Sequence, residues 1–87
     1  MKLLYSYYLS GYDGSDNVES FDYLPPEQEA AYRAAVEAGE DPEMALAPWL
    51  EEIREGIVEQ EKENFADWGD EWSDDYEVVL EDLRFEE

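Results

Sequence analysis

The sequence predicts an α+β fold, in which a small antiparallel sheet of two or three strands has two or three helices packed on one face. The start of the chain alternates apolar and polar residues at the two-residue period of a strand. The middle repeats apolar residues at helical spacing, and the end returns to alternation. We expect residues 1–87 to form a single acidic domain with a small core.

The first two strands are predicted to form a hairpin. Residues 2–9 are rich in strand-forming residues. One face of this strand has four apolar or aromatic side chains: Leu3, Tyr5, Tyr7 and Leu9. Leu4 and Tyr8 lie on the other face, so the strand could be covered on both sides. Residues 11–17 are rich in Gly, Asp and Asn, as turns are, and residues 18–24 would return beside the first strand.

Proline and glycine residues divide the middle of the chain into helices. Pro26 suits the first turn of a helix that ends at Gly39. Asp41 is predicted to cap a second helix, with Pro42 as its first residue. Pro48 either kinks that helix or begins the next one.

The long helix, predicted over roughly residues 48–68 and ended by Gly69, is the clearest element. Its apolar residues cluster on one side: Trp49, Leu50, Ile53, Ile57, Phe65 and Trp68. Its glutamates occupy the other side: Glu51, Glu52, Glu55, Glu59 and Glu63. Such a helix would cover the sheet with its apolar side and present carboxylates to solvent.

A closing strand is predicted over residues 76–85. Tyr76, Val78 and Leu80 share one face, whereas Leu83 and Phe85 fall on the opposite parity. We therefore expect a β-bulge or a short helical turn near residues 81–82.

Charge is the dominant feature of the composition. The chain has 26 Asp and Glu against 5 Lys and Arg, a net charge of −21, yet it also has 3 Trp, 7 Tyr and 3 Phe. Disordered acidic chains have few aromatic residues, so we expect a folded domain. Its partner would be a basic surface, because a nucleic acid or an anionic membrane would repel it.

The N-terminus and the apolar runs give no membrane signal. No apolar run approaches the roughly 18 residues that a membrane span needs. Ser6 and three tyrosines interrupt the apolar start, and no small-residue cleavage site follows, so we expect a strand there and not a signal peptide.

Two common catalytic residues, cysteine and histidine, are missing from the sequence. Without Cys or His the chain has no disulfide, no zinc cluster, no thiol nucleophile and no imidazole base. Two carboxylates could hydrolyse a glycoside, but 26 acids place some pair at a workable distance in any fold. We expect no enzymatic activity and no cofactor.

Two segments offer oxygen ligands for a cation. In residues 13–19 these are Asp13, Ser15, Asp16, Asn17 and Glu19. The glycine of this segment stands in the wrong place for an EF-hand loop, so we interpret it as an Asx-rich turn. Residues 68–75 could hold a hard cation loosely. The interpretation we prefer has no metal at either place.

The acidic row, which consists of Glu51, Glu55, Glu59 and Glu63, is an unbroken i, i+4 series. Like charges at this spacing destabilise a helix by roughly 0.2–0.5 kcal/mol per pair. Any single glutamate is best explained as a solvated surface residue. As a set they lie in a half-chain, residues 51–87, with sixteen acids and three bases. Solubility alone needs a net charge of only about 2–8 in magnitude, so we interpret the row as a binding surface for cationic groups.

The aromatic-acidic segment, residues 67–77 with the sequence DWGDEWSDDYE, continues this charge. Trp68, Trp72 and Tyr76 recur every four residues, so they can point inward as anchors while the acids point outward. The alternative is that a tryptophan is exposed as an interface hot spot. The row and the segment together supply ten candidate partner-binding residues: Glu51, Glu52, Glu55, Glu59, Glu63, Asp67, Asp70, Glu71, Asp74 and Asp75.

In size and charge the chain resembles small acidic inhibitors that imitate nucleic acid, the phage anti-CRISPR and anti-restriction class. The acidic row and the segment DWGDEWSDDYE account for the resemblance, which involves no sequence motif. It implies a protein of the bacterial host cytoplasm that occupies the Lys/Arg-lined channel of a nuclease or a CRISPR effector complex in place of DNA or RNA. Monomer and homodimer both remain open.

Two other classes of function fit the same sequence. One is an immunity protein or antitoxin that caps a basic toxin through specific contacts, with aromatic residues at the centre. The other is an acidic accessory protein without an inhibitory role. Salt dependence separates the nucleic-acid mimic from the antitoxin, since a charge mimic releases its partner as salt rises.

Overall fold

A computed structural model describes residues 1–14 and 16–87 of the chain. The elements in chain order are β1 (Lys2–Ser10), β2 (Val18–Tyr23), α1 (Pro26–Glu37), α2 (Pro42–Ala45), α3 (Ala47–Trp68) and β3 (Glu77–Glu86). The three strands form one antiparallel sheet in the order β2-β1-β3. The α+β fold predicted from the sequence is confirmed.

The core lies on one face of the sheet, between the strands and the helices. In the central strand β1, Leu3 is opposite Phe85 and Leu9 is opposite Val78, and these side chains pack in the core with residues of α3. Leu4 and Tyr8 point to the other face and lie outside the core. The sequence left room for cover on both faces of β1, but among residues 1–14 and 16–87 the helices pack on one face only, as the fold prediction had it.

A β-bulge lies in β3 where the sequence predicted one. The pairing of β1 with β3 shifts register between Leu4 and Ser6, and Asp82 has a positive φ of 53°. The extra residue reverses the parity of the strand, so that Val78 before it and Phe85 after it both face the core. A strand without the bulge would turn one of these two side chains to solvent.

The β1–β2 hairpin is joined by a partly buried side-chain hydrogen bond as well as by its ladder. The hydroxyl of Tyr5 donates to Oδ2 of Asp22 over 2.6 Å. Burial, followed by this hydrogen bond, raises the pKa of Tyr5 to about 12. The tyrosine therefore stays protonated and keeps donating throughout the physiological range.

The short helices close one end of the core. In α1 the ring of Tyr32 lies 4.5 Å from that of Phe85, and Arg33 pairs with Glu87 over 2.7 Å. Asp41 caps α2 as predicted, because its carboxylate accepts the backbone N–H of Glu43 over 3.0 Å. Pro48 lies in the first turn of α3, so it begins the long helix and does not kink the preceding one.

Two glycines of α3 give opposite expectations for replacement by alanine. Gly56 is exposed in mid-helix, and an added methyl group would meet no atom within 4 Å. Gly69 ends the helix with φ of 76°, a conformation that costs an L-residue energy. We expect Gly56→Ala to raise the free energy of unfolding by about 1 kcal/mol, and Gly69→Ala to lower it by about 1 kcal/mol.

Urea denaturation at constant salt, followed by circular dichroism, measures both changes. Equal effects of the two substitutions would contradict the helix end described for α3.

Candidate functional site

The acidic row faces directly away from the core along the whole of α3. The core-facing stripe of this helix has buried residues at every eighth position: Trp49, Ile57 and Phe65. The row begins two residues after the stripe, at Glu51, and two residues advance about 200° around a helix. Both series follow i+4 steps, so they wind around the helix together and remain on opposite sides. The row therefore winds about 120° around the helix between Glu51 and Glu63 while it stays opposite the core-facing stripe.

All ten candidate partner-binding carboxylates belong to exposed residues. Two of them are partly neutralised, since Arg54 pairs with Glu51 and Lys62 Nζ lies 3.9 Å from Glu59. The remaining eight make no ion pair with any residue in the described part of the chain. Their charge is available to a partner, because the protein does not satisfy it internally.

Arg54 is held by the N-terminal end of the row. Its Nε donates to Glu51 over 3.0 Å, and this hydrogen bond lowers the pKa of Glu51 below its usual range. The same bond, followed by the charges of Glu51, Glu77 and Glu55, raises the pKa of Arg54. The pair is exposed, so it orders the two side chains more than it stabilises the fold.

The aromatic-acidic segment folds back against α3 immediately after the helix ends. Gly69 has the left-handed conformation, and the backbone N–H of Asp70 donates to the carbonyl of Phe65 over 2.8 Å, as in a Schellman motif. The ring of Trp72 then lies edge-on to Phe65 at 5.3 Å, and the ring of Tyr76 lies 5.8 Å from Phe65. Because these rings pack on the core, the acids between them are held on an ordered backbone.

A groove brings the row and the segment together. It encloses about 470 Å³ between the middle of α3 and the returning chain. Its lining residues are Arg54, Glu55, Val58, Glu59, Lys62, Trp72, Asp74 and Tyr76. Lys62 Nζ lies 5.9 Å from the centre of the Trp72 ring, at cation–π distance. The groove is thus lined by two carboxylates of the row, Glu55 and Glu59, and by one of the segment, Asp74.

The structure joins some predicted site residues more closely than others. Glu51, Glu63 and Glu52 extend the surface along α3, and Asp67 continues the i+4 spacing of the row by one step. Four acids of the segment, Asp67, Asp70, Glu71 and Asp75, are exposed but do not line the groove. The ten carboxylates therefore form an extended surface along and beyond α3 and not a closed cluster.

The expectation that all three aromatics of the segment point inward is wrong for Trp68. Its residue is 63% exposed, although its ring lies 5.9 Å from Phe65. Trp68 is the last residue of α3, and it lies about 60° around the helix from the buried Phe65, at the margin of the core-facing stripe. Trp72 and Tyr76 are partly buried and act as the anchors.

One acid of α3, Glu61, is not among the candidate residues predicted from the sequence. The i+4 stripe of core-facing residues places it between Ile57 and Phe65, and the structure shows it partly buried. Its negative charge contributes, after burial, to the raised pKa of Tyr7 on β1. The signal was present in the sequence, because Glu61 occupies an apolar position of an otherwise apolar stripe.

No group of three or more carboxylates in residues 1–14 and 16–87 is arranged to hold a metal ion. The two segments considered for a cation contain no carboxylate cluster of this kind in the described residues. Ser15, one of the oxygen ligands considered for the first segment, lies outside the described residues. Over the same ranges, no helix is both long enough and apolar enough to cross a bilayer.

Comparisons of the chain with protein-family models, curated proteins and solved structures found no match. The function must therefore be inferred from the acidic surface itself.

Two tryptophans distinguish an anchor from a surface residue. We expect Trp72→Ala to lower the free energy of unfolding by about 2 kcal/mol, because it removes a partly buried ring that packs on Phe65. We expect the matched change Trp68→Ala to cost less than about 1 kcal/mol, because that residue is mostly exposed. Urea denaturation of both variants tests this, and equal costs would show that Trp72 is not the anchor.

Repulsion within the acidic row predicts a stability that rises with salt. Between about 0.01 M and about 1 M NaCl the Debye length falls from about 30 Å to about 3 Å. We expect the midpoint of thermal unfolding to rise by about 5–10 °C over this range.

A variant with Gln at all four positions of the acidic row is expected to show a smaller rise. Its control replaces four exposed glutamates elsewhere by Gln, namely Glu19, Glu37, Glu40 and Glu86. If the two variants respond to salt equally, the repulsion is not concentrated in the row.

Proposed function

We propose that the protein is a nucleic-acid mimic that inhibits a nucleic-acid-binding protein by occupying its basic channel. The single observation that supports this most is the line of exposed carboxylates on α3, which the acids of the following segment extend. In the row itself Glu51 and Glu59 are paired, and the other eight of the ten candidates make no ion pair in the described residues. The target would be a nuclease or a CRISPR effector complex in the cytoplasm of a bacterial host cell. The protein would have no enzymatic role there.

The spacing of the charges supports mimicry. Successive glutamates of the acidic row advance about 6 Å along the helix axis, from four residues at about 1.5 Å each. Phosphates of one DNA strand advance about 3.4 Å axially per nucleotide. The row alone is thus sparser than a strand, but Glu52 beside it and Asp74 across the groove add charge to the same surface.

The shape of the molecule also supports mimicry. The domain measures 47 × 20 × 20 Å, and α3 is its longest element, with 22 residues. A long, narrow body with charge along its length can enter a channel that accommodates a nucleic-acid helix. Because the aromatic anchors order the charged segment beforehand, less conformational entropy is lost on binding.

The driving force would come from the partner. A channel that binds nucleic acid has Lys and Arg side chains, which neutralise phosphates and release counterions when the nucleic acid binds. Carboxylates that enter the channel engage the same cations and exclude the nucleic acid. Association should be fast at low salt and weaken steeply as salt screens the charges.

A second candidate function, an immunity protein or antitoxin, is favoured by the exposure of Trp68. An indole that is 63% exposed beside the acids is typical of an interface hot spot. In that case the complex would survive high salt, and Trp68→Ala would abolish binding. The two functions therefore predict opposite responses of the complex to rising salt.

The test is inhibition of DNA cleavage by purified CRISPR effector complexes and restriction nucleases, at about 50 mM and about 200 mM salt. We expect inhibition at low salt that weakens at the higher salt. Replacement of the whole acidic row by Lys should weaken inhibition by about 100-fold, whereas a single Glu→Gln change in the row should cost little. The control replaces Glu19, Glu37, Glu40 and Glu86 by Lys, which changes the net charge equally and should retain inhibition.

Two results would contradict the proposal. Equal inhibition by the row variant and the parent would show that the row is not the binding surface. Equal loss in the row variant and its control would show that only net charge matters. Inhibition that persists at the higher salt and disappears with Trp68→Ala would favour the antitoxin instead.

A further inference from the structure

A small pocket lies between the second half of α3, strand β1 and the loop after it, away from the acidic row. It encloses about 270 Å³. Its lining residues are Tyr7, Leu9, Tyr12, Gly14, Asp16, Val18, Glu61, Phe65, Trp68 and Val78. This volume is just below the range of about 300–1,000 Å³ that is typical of small-molecule sites. The pocket therefore suits a single side chain better than a nucleotide.

Aromatic rings form much of the wall. Phe65 is buried, at 2% exposure, and the rings of Tyr12 and Trp68 lie 5.2 Å and 5.9 Å from it. Tyr7 is partly buried on β1, and Trp68 stands exposed beside the opening. Faces of aromatic rings attract cations, and indole attracts them most strongly.

The charge of the pocket is entirely negative. Glu61 and Asp16 line it, and Glu61 is partly buried beside Tyr7, whose pKa is raised by burial and by this carboxylate. Glu61 makes no ion pair with the residues that the structure describes. A carboxylate at a core-facing position of a helix costs energy unless a cation compensates it.

The cations of the chain itself lie elsewhere. Arg33 and Arg54 are paired with glutamates outside the pocket, and Lys62 faces the Trp72 groove. Lys2 lies over the ring of Phe21, and Arg84 is opposite Leu4 on the other face of the sheet. No Lys or Arg side chain is among the described residues that line the pocket. A cation that pairs with Glu61 in this pocket would therefore come from a partner.

We propose that this pocket receives one arginine side chain of the partner, with its guanidinium between Glu61 and the ring of Trp68. Arginine fits better than lysine, because its planar group stacks on aromatic rings, is weakly hydrated and binds a carboxylate through two N–H groups. This inference rests on the proposed function in one respect only, that the partner is a basic protein. It adds a point of specificity to a surface that otherwise recognises charge.

The test uses Nα-acetylarginine amide as the probe, followed by ¹H–¹⁵N NMR of the whole protein. We expect saturable shifts of the Trp68 indole N–H and of the backbone around Glu61, with Trp49 and Trp72 unaffected. Nα-acetyl-lysine amide, which has the same charge, should bind more weakly, and Nα-acetylglutamine amide should not bind.

Matched variants locate the binding site. Glu61→Gln should weaken arginine binding about fivefold, whereas Glu40→Gln, at an exposed glutamate outside both the pocket and the acidic row, should change it less than about twofold. Trp68→Leu should abolish the saturable shifts of the backbone around Glu61. Equal binding of the lysine probe, equal effects of the two Glu→Gln changes, or absence of a saturable Trp68 shift would each overturn the proposal.

Failure of this inference can be told apart from failure of the proposed function, because the titration contains no nucleic-acid-binding protein. If arginine binds in the pocket but the acidic row does not affect nuclease inhibition, the proposed function is wrong and the pocket remains. If the row controls inhibition but arginine does not bind, only the pocket is wrong.

Discussion

Repulsion among carboxylates is the constraint on which the rest of this structure depends. A chain with a net charge of −21 gains by expanding, and only apolar burial opposes that gain. Part of this opposition lies in α3, whose buried stripe of Trp49, Ile57 and Phe65 lies opposite the acidic row. Four rings, those of Tyr12, Trp68, Trp72 and Tyr76, converge on Phe65 of this helix. The dense charge of the row is thus attached to a helix that is fixed to the core.

Much of this arrangement could be predicted from the sequence, because it follows from periodicity. The parity change between Leu80 and Leu83 predicted the bulge, and Asp82 with its positive φ is the residue that makes it. Gly69 predicted the end of α3 for an equally local reason, the need for a left-handed residue. Such features depend on a few neighbouring residues, so the pattern of the sequence contains them fully.

Other features could not be predicted, because they depend on where chain segments meet. The spacing of four residues between Trp68 and Trp72 did not predict that one ring is exposed and the other packs on the core. That difference arises because the chain turns at Gly69, between the two residues. The groove that joins Glu59 to Asp74 likewise exists only because the segment folds back along α3. The partly buried Glu61 could have been found from its place in the apolar stripe, but the tyrosines around it come from β1 and from the loop after it. The pocket around Glu61 could therefore be recognised only from the folded structure.

The order of the strands has a consequence for folding during synthesis of the protein. The central strand β1 is synthesised before its neighbour β3 (Glu77–Glu86), and the helices α1, α2 and α3 lie between them in the chain. Until β3 emerges, one edge of β1 and the apolar side of α3 have no lasting partner. Pairing between segments so distant in sequence folds slowly, since a long loop must close first. During that interval the dense negative charge would keep nascent chains apart from one another and guard them against aggregation.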